Sequence, residues 1–177
     1  MQLSRSVIAR TAVEILDNYG IADVSMRRVA GALDVAPGAL YWHIDSKQAL
    51  IAAMADQIIA PVLAASYAGP KEFCTALRGA LLSHTDGADV VSSAAAQPAS
   101  SVFPALLTGI RSTFTDEVDD AAAAGLLYLT LGASNLHQAG AQLQRATAGD
   151  AAATYGSEEE LGHAVDLLIA GLRAERC

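Results

Sequence analysis

The 177-residue sequence is short of sulfur, aromatic side chains and positive charge. Two cysteines, Cys74 and Cys177, are too few for a disulfide scaffold; both read as reduced thiols of a cytoplasmic protein. Eleven Lys and Arg stand against 19 Asp and Glu, a net charge of −8, which excludes a strongly basic protein that coats nucleic acid. Charged residues make up only 17% and hydrophobic ones 53%, which excludes disorder. The apolar excess is mostly alanine, a helix former. Residues 1–10 contain Arg5 and Arg10 but no apolar core of a signal peptide. The most apolar stretch, Ala121 to Ala133, is interrupted by Thr130 and two glycines. It falls short of the ~20 residues that cross a bilayer and reads as a buried helix, with no membrane partner. No strand-like alternation and no internal repeat occurs. A nucleophile elbow, a P-loop, a paired acid–base constellation and a metal motif are all missing, so the chain reads as no enzyme, without cofactor or metal.

What is present is helical periodicity. Ile8, Ala12, Ile15, Leu16 and Tyr19 form one apolar stripe, and Gly20 stops that helix. Ser25 is an N-cap for a helix over about 26–33, with Val29, Ala30 and Leu33 inward. Asp34-Val35-Ala36 makes a tight connection, and Pro37 suits the first turn of a short helix over about 37–43. Ser46 caps a longer helix bearing Leu50, Ile51, Met54 and Ile58, which Pro61 would kink or restart. Further helices are expected over about 71–84, 102–114 and 116–146, the last capped by Thr115. Asp86-Gly87 reads as a turn, 92–101 as a short helix plus loop, and 147–156 as a linker. Ser157-Glu158-Glu159-Glu160 matches a capping box that opens a final helix. The expected fold is all-α with about nine helices.

Charge divides along the chain. Residues 1–50 carry five basic and five acidic side chains, so the whole excess of acid lies in residues 51–177. Only the first segment would tolerate a polyanion. There, two short helices joined by a tight turn and braced on either side make a helix-turn-helix layout. On the second of the pair, Ala36, Leu40 and Ile44 should be buried, while Gly38 and Trp42 point outward, flanked by Ala39, Tyr41 and His43. Small Gly38 and Ala39 would allow close approach to base edges. Tyr41, His43 and Lys47 would reach phosphates, and Arg27 and Arg28 are the natural charged contacts. Pattern alone leaves open a bland three-helix bundle whose Trp42 packs on a neighbour.

The segment Val7 to Met54 resembles the DNA-binding module of the TetR (tetracycline repressor) family. The resemblance is carried by Ile15-Leu16, Tyr19-Gly20, Val24-Ser25-Met26-Arg27-Arg28-Val29-Ala30, Leu33, Val35, Gly38 to His43 and Ser46 to Leu50. It implies base contact by Arg27, and base edges or thymine methyls facing Pro37, Gly38 and Ala39. It also implies that Ser25, Tyr41, Trp42, His43 and Lys47 grip the sugar–phosphate strand. Asp34 departs from the glycine usual in the family, but Asp tolerates a left-handed backbone. The implied domains are 1–45, a helix-turn-helix domain, and 46–177, a helical body for ligand binding and dimerisation. The implied function is a ligand-responsive repressor that binds a palindromic double-stranded operator as a homodimer and is released by a small molecule. A helical enzyme or an interaction module without DNA binding is the alternative.

The run Ala76 to Val90 and the stretch Leu129-Thr130-Leu131-Gly132 are similar to runs in the body of the family's tetracycline repressors. Those proteins place a His and a Glu on a magnesium–tetracycline complex, where this sequence has Val91 and Leu136. Neither offers an oxygen to a hard cation, so no magnesium-dependent tetracycline response is expected. Polar residues on apolar helices, Asn135, His137, Gln138 and His84, are the ligand candidates, with Phe103, Phe114 and Tyr128 as apolar walls. Each is also readable as an ordinary packing or surface residue. Ala123, Ala124, Leu127, Leu131 and Ser134, with Leu161, Val165, Leu168 and Leu172, are expected at a four-helix dimer interface; packing inside one subunit is the competing reading.

Overall fold

The computed structural model describes residues 2–115, 118, 120–147 and 155–174. Asp116, Glu117 and Asp119 of the acidic run lie outside the described residues, as do 148–154 of the expected linker and Cys177. Among the described residues there are nine α-helices and no strand, so the fold is all-α. We label them α1 (Arg5–Tyr19), α2 (Met26–Ala32), α3 (Pro37–Leu40), α4 (Lys47–Ala64), α5 (Pro70–Leu82), α6 (Gly87–Ala95), α7 (Val102–Arg111), α8 (Asp120–Thr147) and α9 (Glu158–Ala174). Internal contacts divide the chain into two compact units. One comprises Met1–Pro61 and Ala80–Phe103, the other Val62–Gly79 and Pro104–Cys177.

In the first unit, Ser4 caps α1 by accepting from the Val7 N–H, and Gly20 closes it at φ 81° with its N–H on the Leu16 carbonyl. The stripe Ile8, Ala12, Ile15 and Leu16 is buried, but Tyr19 is exposed. α1 packs on α2, and α2 on α3. Leu40 and Ile44 are fully enclosed, each contributing about 1.5–3 kcal/mol of burial. Two local expectations are corrected. Ala36, expected inside, is exposed, because it is the extended N-cap before Pro37. The helix expected over 37–43 is a single turn ending at Leu40, after which the chain continues in turns with the His43 and Ile44 N–H groups on the Leu40 carbonyl.

α4 runs through Pro61 to Ala64. By length and mean hydropathy, 1.2 over 18 residues, it could cross a membrane, which the stretch 121–133 could not. Its Leu50, Ala53, Met54, Ala55, Ile58, Ile59 and Val62 are buried in the protein, as in a core helix. α6 begins at Gly87, earlier than the expected 92. Asp86 does take a left-handed turn, φ 54°, but a helix starts directly after it.

In the second unit, α8 and α9 pack together. The 28 residues of α8 span about 42 Å. Its small-residue face is interior: Ala123, Ala124, Leu127, Leu131 and Ser134 are buried within this one chain, as are Leu161 and Val165 of α9. These residues therefore build the subunit core and are not left free for a dimer contact. Leu168 and Leu172 are half-buried. The large apolar residues exposed on these two helices, among the described residues, are Tyr128, Leu136 and Leu143 on α8 and Leu167 on α9.

Candidate nucleic-acid interface

The local sequence between α1 and α4 sets out a small surface in the first unit. Ser25, extended and half-buried, accepts the Arg28 N–H at 3.2 Å and fixes the first turn of α2. That leaves Arg27 exposed, with no hydrogen bond or ion pair among the described residues. Arg28 is held instead. Its guanidinium pairs with Asp23 at 2.9 Å and lies 4.2 Å over the Tyr19 ring.

α2 ends in a tight cap. The Val35 N–H donates to Ala30 and the Asp34 N–H to Gly31, with Asp34 at φ 55°. These two bonds are the Schellman pattern, which places the turning residue in the left-handed region. Asp therefore does the work of glycine here. Pro37 follows at the first position of α3, where its missing N–H costs nothing.

Leu40 and Ile44 anchor the other side of this segment, so the residues around them face outward. Pro37 and Gly38 are exposed and Ala39 is half-buried. Nothing lies within 4 Å of where a Gly38 side chain would begin. Trp42 is 89% exposed and Tyr41 52%; His43 is exposed beside them. An indole left in water forfeits most of the burial its size offers, so an exposed Trp beside Tyr and His is costly unless something docks there. Trp42 does not pack on a neighbour, the alternative that pattern alone left open. Lys47, exposed at the start of α4, is positioned by Ser46, whose hydroxyl accepts the Ala49 N–H at 3.0 Å. The surface thus offers Arg27, Lys47 and several flat rings around a small-residue helix start.

The seven ligand candidates do not share one unit. His84 and Phe103 belong to the first, and Phe114, Tyr128, Asn135, His137 and Gln138 to the second. His84 Nδ1 lies 3.0 Å from the Asp17 carboxylate, which also accepts the Thr85 N–H. Asp86 accepts the Ile21 N–H at 2.7 Å. His84 is thereby part of a joint between the end of α1 and the α5–α6 turn. Sequence reading missed this joint, because residues some 65 positions apart make it and no spacing marks them. Phe114 borders a half-open cavity of about 620 Å3 with Thr113, Thr115, Val118 and Ile169, at whose rim Lys71 pairs with Asp166. Tyr128, 63% exposed, lies on an open groove of about 420 Å3 beside Leu136 and Tyr155. Asn135 donates to the Leu131 carbonyl, and Gln138 is half-buried. Cys74 is buried, and that burial raises its thiol pKa even though a hydrogen bond with Thr130 opposes the shift.

Known proteins share both the local surface and the whole fold. Residues 8–54 match the family described as bacterial regulatory proteins, tetR family. The chain is similar to BioQ of Mycobacterium smegmatis, at 37% identity over 98% of this chain and 99% of that one, with a TM-score of 0.84. A structure of BioQ with its natural double-stranded DNA operator is similar at 36% identity, covering 97% and 98% of the two chains, TM-score 0.77. Tetracycline repressor protein class C of Escherichia coli is 31% identical over 99 residues, half of this chain; the match spans 44% of that repressor's length. The relatives are regulators and not enzymes. The chain belongs to the TetR family of helix-turn-helix, DNA-binding transcriptional regulators.

Proposed function

We propose that the chain is a repressor that binds a palindromic operator as a homodimer in the cytoplasm and is released by a small molecule. The observation that carries the reading is the exposed Tyr41-Trp42-His43 turn on an α3 anchored by Leu40 and Ile44. In this reading residues 1–45 are the reading head and 46–177 the helical body. Arg27 reads a base, and Pro37, Gly38 and Ala39 approach base edges. Ser25, Tyr41, Trp42, His43 and Lys47 grip the phosphate strand. Arg28, stacked on Tyr19 and paired with Asp23, lies beside Arg27 at the same end of α2.

One reading head covers too few base pairs for specificity, whereas a two-fold dimer reads two half-sites. With the small-residue face of α8 used inside the subunit, the dimer contact is assigned to the exposed Tyr128, Leu136, Leu143 and Leu167. Effector contact is assigned to the second-unit candidates Phe114, Tyr128, Asn135, His137 and Gln138. His84 and Phe103 belong to the first unit. Release follows if the effector favours a head spacing that no longer fits the groove.

Footprinting on the DNA flanking the protein's own gene, combined with light scattering, tests this. Two protected half-sites centred about 34–36 Å apart, or a multiple of that, bound by a dimer, are expected. A monomer at micromolar concentration, or a single unpaired site, contradicts it.

A further inference from the structure

Arg28 is held from three pieces of backbone that are themselves fixed. Its own N–H donates to the Ser25 hydroxyl at 3.2 Å in the first turn of α2. The ring it lies over, at 4.2 Å, belongs to Tyr19, the last residue of α1. Its carboxylate partner at 2.9 Å, Asp23, ends the 3-10 turn Ile21–Asp23. That turn is pinned on both sides. The Ile21 N–H donates to the Asp86 carboxylate at 2.7 Å. Val24, directly after the turn, is fully buried with its N–H on the Ile21 carbonyl. Asp17 adds a second tie to the same joint by accepting the Thr85 N–H at 3.1 Å.

A surface ion pair is ordinarily worth little, because two long side chains must be ordered to make it. Here the acid is short, its backbone is fixed, and the planar guanidinium has a ring beneath it, which lowers that cost. The pair is still partly exposed, 40% at Arg28 and 45% at Asp23, so a competing charge can break it. The consequence is electrostatic. Affinity for duplex DNA of any sequence grows with the number of cations that displace condensed counterions from phosphates. A guanidinium whose charge is matched by a carboxylate, and whose face is covered by a ring, adds little to that number. Arg27, the next residue, is exposed and unpaired among the described residues. One of two adjacent arginines at the start of α2 is thus left free, and the other is neutralised in place. Phosphate contacts carry no sequence information, and unrelated DNA competes in great excess. One more such contact would strengthen retention on that unrelated DNA.

We propose that Asp23 and Tyr19 lock Arg28 out of phosphate contact, and that this lock limits how strongly the chain holds duplex DNA regardless of sequence. It rests on the DNA contact assigned above to the same end of α2. The test is a set of anisotropy titrations of the full chain, over about 50–200 mM salt. The probes are the operator flanking the gene and a duplex of unrelated sequence. Asp23→Ala should bind both duplexes more tightly at low salt and steepen the salt slope by about one. Asp23→Asn, of the same shape, should do the same. Most of that steepening should vanish when Asp23→Ala is made in an Arg28→Met background, because no freed guanidinium remains. Tyr19→Leu should shift the slope the same way by less, while Tyr19→Phe, which keeps the ring, should match the parent. Asp23 and Tyr19 are both exposed, so these variants should fold, with melting temperatures near that of the parent. An unchanged slope in both Asp23 variants, or weaker binding by both, shows that the pair only braces this corner of the fold, and overturns the proposal. So does equal steepening in the Arg28→Met background, which would make Asp23 a plain repulsive charge. A Tyr19→Phe shift as large as that of Tyr19→Leu overturns the part given to the ring. A parent that binds the operator no better than unrelated DNA would sink the repressor reading instead, while the slopes on the unrelated duplex still decide the lock.

Discussion

At the scale of single residues, geometry separates side chains that are free to act from those already engaged. Arg27 and Arg28 are neighbours in sequence, yet Arg27 is exposed and unpaired among the described residues while Arg28 is tied to Asp23 and Tyr19. Lys47 is exposed and has no ion pair among the described residues, which suits a phosphate contact. Lys47→Ala should weaken binding to all DNA sequences alike and reduce the salt slope by about one; an unchanged slope in anisotropy titrations counts against that role. Asp34 carries a backbone rather than a charge. At φ 55°, Asp34→Gly should leave stability within about 1 kcal/mol of the parent, while a β-branched Asp34→Val should cost about 1–2 kcal/mol in urea unfolding. Equal stability of the two variants would show that the turn is not strained. Asp34 and the buried pair Leu40 and Ile44 were legible in the sequence from turn chemistry and period. The engagement of Arg28 was not, because Tyr19 and Asp23 approach it through the fold of the preceding segment.

Helix starts were more legible than helix extents. Ser25, Ser46 and Ser157 cap the helices they were expected to cap, because a cap is a local bond between residues three apart. The end of α3 and the start of α6 differ from expectation. At the α5–α6 turn, Asp86 spends its carboxylate on Ile21 rather than on capping its own helix. The start of α9 is a complete capping box: the Ser157 N–H donates to Glu160 at 2.9 Å and the Glu160 N–H to the Ser157 hydroxyl at 3.2 Å. Bonds from Ser157, first its N–H and then its hydroxyl, hold the Glu160 carboxyl below its ordinary value. A lowered folded-state value contributes stability that is present above the unfolded value, ~4.3 for Glu, and lost as pH falls through the folded one. Glu160→Gln should therefore be less stable than the parent at pH 7, with the gap closing as pH is lowered from about 5 to 3. A gap that persists unchanged at pH 3 contradicts this account of the cap.

At the scale of the whole molecule, a net charge of −8 sits oddly on a DNA binder until the chain is divided. Residues 1–50 are balanced, so the excess of acid lies in residues 51–177, where it disfavours adhesion to other nucleic acid. The face of α8 left outside was not legible. That helix is apolar on most of its circumference, so periodicity could not tell the face turned inward from the one left outside. Its buried residues include Leu126, Leu127 and Leu131 beside small ones, and the large Tyr128, Leu136 and Leu143 are exposed. The similarity to tetracycline repressors does not extend to metal-ligating side chains at Val91, which is fully buried, or Leu136, which is exposed. Tetracycline with magnesium should therefore neither raise the melting temperature nor release DNA, and either response would refute that reading. The central claim is sequence-specific DNA recognition through α2 and α3, and one titration tests it most directly. The parent and Arg27→Ala are titrated by fluorescence anisotropy against the operator flanking the gene and against its single-base variants. The account predicts tight binding by the parent, a loss of about 1–3 kcal/mol in Arg27→Ala, and relaxed discrimination at one base position per half-site. Undiminished affinity with unchanged discrimination at every position would contradict it.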